Sequence, residues 1–202
     1  LRNQLMTMQT IRPTAPIGQP AGKARTPMAS APLVYNDDQT VAWERMWDSF
    51  CVLASVGGPP HRATMLQPET TADAASPEYQ ASVAEIVRGI RLVSGLRAEA
   101  AESGWIAVEC EHAAKARWLS EQIRQENVAS FQRGNCFFVP VGQRFTVKGE
   151  VKNVITAVAK TTHYWQEHLA GETKNALAWE ARLTELWARL KGRAGLFGRS
   201  RA

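Results

Sequence analysis

The 202-residue sequence predicts an α+β fold in which a small β-sheet packs with two N-terminal and two C-terminal helices. Two observations predict this class: apolar residues recur at helical spacing in both halves of the chain, whereas the central segment alternates between apolar and polar residues. A third is that 45% of the residues are hydrophobic, enough to bury one core. We therefore expect a disordered leader over residues 1–34, a single α+β domain over 35–190 and a basic, flexible tail over 191–202.

Residues 1–34 contain five prolines among small and polar residues and show no apolar periodicity, which is typical of a disordered leader. The first helix is predicted over about residues 40–56, because the segment Asp37–Thr40 offers side chains that cap helix N-termini. One broad face of this helix is apolar, and we expect it to lie in the core rather than to bind a cofactor. That face consists of Trp43, Met46, Trp47, Phe50, Cys51 and Ala54.

A second helix is predicted to begin at Ser76, Pro77 and Glu78, which suit the N-cap, the first helical position and the positive end of the helix dipole. Gly95 is expected to end it. Gly89 lies inside this helix, so either a neighbour packs closely there or the helix bends. The apolar face consists of Tyr79, Val83, Ile86, Val87, Ile90 and Val93.

The central segment predicts a β-α-β-β unit. Residues 104–110, GWIAVEC, alternate as a half-buried strand does, and a helix then follows as far as Asn127, which suits a left-handed helix end. Two further strands, 128–132 and 135–141, flank a short turn and form a hairpin. The helix is expected to cover one face of the resulting sheet, which is antiparallel or mixed.

Two helices are predicted after the sheet. The first runs from Lys148 to Gly171, and its inward residues are Val151, Val154, Ile155, Val158, Thr162, Trp165 and Leu169. The second is amphipathic, and its apolar residues are Trp179, Leu183, Leu186, Trp187 and Leu190. Because two tryptophans on one face require a packing partner, this last helix either packs on the domain or forms a homo-oligomer interface.

Charge and composition narrow the class of protein. The net charge is +5, but residues 1–40 carry +2 and residues 190–202 carry +4, so the predicted domain between them is nearly neutral. Nucleic acid therefore stays open as a partner only through basic tails that bind phosphate in a salt-sensitive way. No apolar run reaches the roughly 18–20 residues of a membrane helix, and no secretory signal is recognisable. Three scattered cysteines form neither a disulfide framework nor a CxxC knuckle, so we expect a soluble, cytoplasmic protein.

The stretch GGPPHR at residues 57–62 is the first candidate site. Its glycines and prolines suffice to end a helix, but they leave His61 and Arg62 unexplained. Arginine grips carboxylate or phosphate with two hydrogen bonds, and histidine donates, accepts or binds a metal. We therefore predict His61 and Arg62 as ligand contacts, although the GK[ST] ending of a phosphate-binding loop is absent.

Cys110, Glu111 and His112 form the second candidate site, where a strand passes into a helix. Thiolate and imidazole are metal ligands, so His61, Cys110 and His112 are a candidate metal set, and Glu111 and His112 are candidate ligand contacts. The alternative interpretation is structural, because residues at a helix start also cap it and interact with its dipole.

The long C-terminal helix carries the third candidate site. At 100° per residue, Lys152, Thr156, Lys160 and His163 form a polar stripe opposite the core. We predict Lys160 and His163 as contacts for an anionic partner, although most such stripes are solvated. His163 and His168 fall on different sides of this helix and are not expected to share a metal.

Three classes of function remain open. The favoured one is a non-catalytic binding or accessory protein that recognises an anionic small molecule or a protein partner. The alternatives are a metal- or thiol-assisted enzyme built from His61, Cys110, Glu111 and His112, and a nucleic-acid accessory protein that acts through the basic tails. The sequence identifies no cofactor.

Overall fold

The structure, a computed structural model, describes residues 33–46, 63–102, 104–177 and 179. In these ranges its α-helices include α1 (Pro77–Ser94), α2 (Ala113–Gln125) and α3 (Lys152–His163), and a further short helical stretch covers residues 171–177. Its four strands are β1 (Ala98–Ala100), β2 (Trp105–Glu109), β3 (Phe131–Arg133) and β4 (Cys136–Pro140). Two π-helical turns, Val147–Val151 and Tyr164–His168, extend α3 at its two ends. The predicted α+β class is therefore confirmed.

The four strands form one antiparallel sheet in the order β1-β2-β4-β3. The predicted β-α-β-β arrangement is confirmed in part: β2, α2, β3 and β4 follow in that order, but β3 covers 131–133 instead of 128–132, and β1 is an additional edge strand. Ile106 pairs with Val139 and Val108 pairs with Phe137, and all four side chains are fully buried. They join one continuous apolar cluster with the helices, so this face of the sheet contributes to the core.

The region of the predicted first helix begins differently from the prediction. Val41 forms an isolated antiparallel bridge with Tyr35, so the chain is extended where helix was expected. A short 3₁₀ helix follows at Trp43–Arg45, and the rest of the predicted helix lies outside the described residues. Trp43 is nevertheless buried in the core, as expected, and its indole Nε1 donates to Glu85 Oε1 at 2.7 Å. The leader lies outside the described part as far as residue 32.

Helix α1 has the predicted boundaries. Ser76 Oγ accepts a hydrogen bond from the backbone N–H of Tyr79 at 3.2 Å, and Pro77 is the first helical residue. Gly95 ends the helix with φ of 71°, in the left-handed region that glycine adopts without steric cost. Local start and stop signals therefore sufficed to define this element.

Helix α3 is buried on all sides, which corrects the predicted solvated stripe. Lys152 is only 6% exposed and Thr156 only 1%, although both were expected to face solvent. The predicted inward residues are also in place, because Val154, Ile155 and Val158 are fully buried. The stripe, which we call the internal polar surface of α3, is therefore buried at Lys152 and Thr156 and only partly exposed at Lys160 and His163, so it is not a solvated face.

The chain after α3 differs from the prediction in two respects. The helical conformation ends at His168, and Gly171 opens a further helical stretch over 171–177 instead of ending the long helix. Trp179, expected either to pack on the domain or to lie in a homo-oligomer interface, is 64% exposed, and the other apolar residues of the last predicted helix lie outside the described part. Within the part of the chain that the structure describes, no helix combines the length and apolar character needed to cross a membrane.

Candidate functional site

The predicted contacts His61 and Arg62 lie outside the described residues, together with the whole GGPPHR stretch. Their prediction as ligand contacts stays a prediction. The metal set that contains His61 likewise stays untested as a whole. Within the described ranges, no group of three or more His, Cys, Asp or Glu side chains is arranged to hold a metal ion.

The Cys110–His112 corner has a structural role. The Cys110 side chain belongs to the apolar core and is 4% exposed, and burial raises the pKa of its thiol to about 12. A protonated, buried thiol is a poor nucleophile and a poor metal ligand. His112 is the N-cap of α2, because its Nδ1 accepts a hydrogen bond from the backbone N–H of Lys115 at 3.1 Å. The capping alternative therefore describes His112 correctly.

Glu111 is exposed and forms an ion pair with the buried ammonium of Lys115, with 2.8 Å between Oε2 and Nζ. Partial burial is the largest single effect on Glu111 and by itself raises the pKa, but the hydrogen bond and charge of Lys115, the backbone N–H of Glu111 and the nearby His112 together outweigh it, so the pKa is lowered. The carboxylate is thus kept ionised beside the start of α2. Its partner Lys115 was not among the predicted site residues, because the sequence pattern does not distinguish it from other helical lysines.

The internal polar surface of α3 is the second group of predicted residues. Lys160 forms a hydrogen-bonded ion pair with the buried Glu126, which follows α2. Burial lowers the pKa of Lys152, because a desolvated ammonium is disfavoured. The Thr156 hydroxyl is fully buried and has no hydrogen-bond partner among the described residues. Lys160 is therefore only partly exposed and connects α3 to the residue that follows α2, and its prediction as a ligand contact stays a prediction.

His163 and His168 come together, contrary to the expectation that they lie on different sides of one helix. Their ring centroids are 5.3 Å apart, with 72° between the ring planes. The reason is the π-helical turn Tyr164–His168, which has more residues per turn than an α-helix and so aligns residues five apart. Burial is the main cause that lowers the pKa of His163, and the neighbouring His168 lowers it further.

These histidines belong to a larger surface cluster of rings. Tyr164 stacks on Trp118 with 6.0 Å between centroids, and Trp118 lies 5.3 Å from Trp165. His112 is 6.1 Å from Trp165 at one end of the cluster, and His168 is 5.6 Å from Tyr164 towards the other end. The structure thus connects His112 and His163, two predicted site residues, through the aromatic side chains of α2 and of the second π-helical turn.

The sequence did not indicate a cleft at the C-terminal end of α1, which we call the arginine cleft. It encloses about 510 Å³ and is lined by Arg88, Arg91 and Arg97 together with apolar Val87 and Leu96. The signal in the sequence was three arginines within ten residues, but the close approach of Arg97 requires the turn at Gly95 and strand β1, which was not predicted.

The three arginines of the cleft differ in how they are held. Arg88 is fixed by Glu85, which it contacts through Nη2 at 2.6 Å and Nε at 3.0 Å, and by the carbonyl oxygen of Val41 at 2.9 Å. Arg97 is exposed and reaches Glu99 only at 3.5 Å. Arg91 is exposed in the last turn of α1. The cleft therefore combines one rigid guanidinium with two that are accessible to a ligand.

Comparison with known proteins gives no relative for this chain: the sequence matches no protein-family model, and no curated protein or solved structure is significantly similar. Function must therefore be inferred from the sites themselves.

Proposed function

We propose that the protein is a non-catalytic binding protein for a small organic anion, which it holds in the arginine cleft. The observation that carries this proposal is the presence of three arginines around one cleft of about 510 Å³ with an apolar wall. This volume falls within the range of about 300–1,000 Å³ that is usual for small-molecule sites.

The chemistry of the lining defines the ligand class. A guanidinium binds carboxylate or phosphate through two parallel hydrogen bonds, and Arg91 and Arg97 are exposed to do so. Val87 and Leu96 offer an apolar surface for the rest of the ligand. The preferred ligand is therefore an organic phosphate or carboxylate that also carries an apolar group.

Binding without catalysis follows from the side chains around the cleft. Its lining comprises only alanine, valine, glycine, leucine and arginine residues, so the described lining has no carboxylate, imidazole or thiol to transfer a proton or attack a substrate. The buried, protonated thiol of Cys110 also gives little support to a thiol-assisted enzyme. A contribution of His61 and Arg62 to anion binding stays a separate prediction.

Titration with phenyl phosphate and with inorganic phosphate tests the proposal. Phenyl phosphate should bind more tightly, and it should shift the backbone amide resonances of residues 87–98 in NMR spectra. Arg91→Ala and Arg97→Ala should each weaken binding about tenfold, because a hydrogen bond to a charged group contributes about 1.5–3 kcal/mol.

Arg124→Ala is the matched control, because Arg124 is also an exposed arginine in the last turn of a helix but does not line the cleft. It should leave the affinity unchanged. The proposal is wrong if phenyl phosphate shifts no resonance of residues 87–98, or if the Arg91 and Arg97 variants bind as well as the Arg124 variant.

A further inference from the structure

The second π-helical turn creates a pair of adjacent imidazoles from residues that an α-helix would separate. In an α-helix, residues five apart differ by about 140° around the axis, so their side chains cannot meet. Here the backbone N–H of Leu169 donates to the carbonyl of Tyr164 at 3.0 Å, which is the five-residue hydrogen bond of a π-turn. His163 and His168 therefore lie on the same side of the chain.

The separation of the two rings matches that of two imidazoles on one metal ion. Metal–nitrogen bonds to histidine are about 2.0–2.1 Å long, which places the centroids of two rings on a tetrahedral ion about 5 Å apart. The observed separation of 5.3 Å and the large angle between the ring planes are compatible with that arrangement.

Exposure and donor type define which ion fits. His168 is exposed and His163 is half-buried, so an ion can reach the pair from solvent. Imidazole nitrogens favour Cu²⁺, Ni²⁺ and Zn²⁺ over Mg²⁺ and Ca²⁺, which prefer oxygen. The described residues supply no third His, Cys, Asp or Glu to this pair, so water would occupy the remaining positions. Such a site is open and exchangeable rather than structural.

We infer that His163 and His168 together bind one divalent transition-metal ion. Of the two ions used as probes, Cu²⁺ should bind more tightly than Zn²⁺. This site involves different residues from the arginine cleft and does not depend on the proposed function. The higher affinity of the site for Cu²⁺ follows from the general order of stability of first-row metal complexes. Tyr164 lies beside His168, with 5.6 Å between ring centroids, and stacks in turn on Trp118.

The test uses the full chain without an affinity tag and adds Cu²⁺ or Zn²⁺ alone. One Cu²⁺ per chain should bind, and its electron paramagnetic resonance spectrum should report two imidazole nitrogens. Competition against a chromophoric chelator should show that His163→Gln and His168→Gln each lower the affinity for Zn²⁺ by more than about tenfold, since each removes one of two protein ligands.

His112→Asn is the control, because asparagine preserves an N-cap while the imidazole is removed. The affinity of the His112→Asn variant for Zn²⁺ should equal that of the unmodified chain. Circular dichroism checks that each variant is folded, and the exposed His168 keeps the test valid if the half-buried His163 tolerates no substitution. The inference is overturned by a Cu²⁺ spectrum with fewer than two nitrogens, or by binding that persists in the His168 variant.

Discussion

Gly89 shows at the scale of one residue how closely two helices of this fold approach. Ile155 of α3 packs directly on it, so that a Cβ atom at position 89 would lie 2.2 Å from Ile155 Cδ1 and 2.8 Å from Cγ1. Ile155 is fully buried in the core, so its side chain cannot turn aside into solvent. Of the two explanations that the sequence allowed for a glycine within α1, a close neighbour is therefore the correct one.

Gly89→Ala should destabilise the protein by about 1–3 kcal/mol, because overpacking a filled core forces side chains or helices apart. The effect opposes the intrinsic preference of helices for alanine, which is worth about 1 kcal/mol. Urea unfolding measures the change in free energy. Gly171→Ala is the matched control, since nothing lies within 4 Å of a Cβ placed there, and it should be nearly neutral.

A double variant identifies the atom responsible for the destabilisation. Ile155→Val removes Cδ1, the atom closest to the added methyl group. The combination with Gly89→Ala should therefore cost less than the sum of the two single changes. A Gly89→Ala protein as stable as the unmodified chain would contradict the packing of α1 on α3 described above.

Helix α3 shows at the scale of an element what a one-dimensional pattern cannot predict. Its apolar residues were correctly identified, but the assumption that polar residues face water was wrong. Hydroxyls within the helix bond to its own backbone: Thr161 Oγ1 donates to the carbonyl of Ala157 at 2.9 Å, and Thr162 Oγ1 to that of Val158 at 2.7 Å. Lys160 is satisfied by Glu126, which is 34 residues earlier in the chain, so only the fold reveals the partner.

Removing one partner of the Lys160–Glu126 pair should destabilise the protein by about 3 kcal/mol, because the other charge then stays largely buried without its ion-pair partner. Lys160→Met and Glu126→Gln are the single variants, and chemical denaturation measures both. Their combination should lose less than the sum by about 1–3 kcal/mol, the range expected for groups in direct contact. The exposed pair Arg117–Glu121 on α2 is the control, for which the coupling should stay below about 1 kcal/mol. Coupling no larger than that of the control would show that the internal pair is not formed in solution.

The same distinction between local and distant causes applies to the candidate sites. Ser76, Pro77 and Gly95 act on their immediate neighbours, so the limits of α1 were predictable from the sequence. The pairing of His163 with His168 was not, because it depends on a π-turn instead of the usual helical angle. The arginine cleft was missed for a further reason: its wall includes the start of β1, and that strand has no sequence signal.

Strand β1 illustrates how the whole molecule determines a local structure. Alanine and glutamate are poor strand formers, yet Ala98–Ala100 pairs with β2. Distant contacts help to fix the chain that returns from β1 into β2, because the Tyr79 hydroxyl of α1 accepts a hydrogen bond from the backbone N–H of Gly104 at 2.9 Å. Gly104 itself has φ of 84°, and a side chain there would meet the segment around Glu69. The sheet edge is thus maintained by contacts that no short window of sequence contains.

The buried apolar residues of the described part form one cluster, which extends along the chain from the region of Trp43 to Trp165. Because no second, separate core divides these residues, we expect them to unfold in a single cooperative transition, as the predicted single domain requires. Far-UV circular dichroism reports the helices, and fluorescence reports all seven tryptophans, among them Trp43 and Trp165, which are buried towards opposite ends of the described sequence. The two signals should therefore give coincident urea midpoints. If fluorescence changed at a lower urea concentration than circular dichroism, a segment that contains tryptophan would unfold separately from the rest, and the expectation of one transition would be wrong. If the unfolding is a single transition, Gly89→Ala should lower both midpoints by the same amount, because the contact of α1 with α3 lies within the shared core.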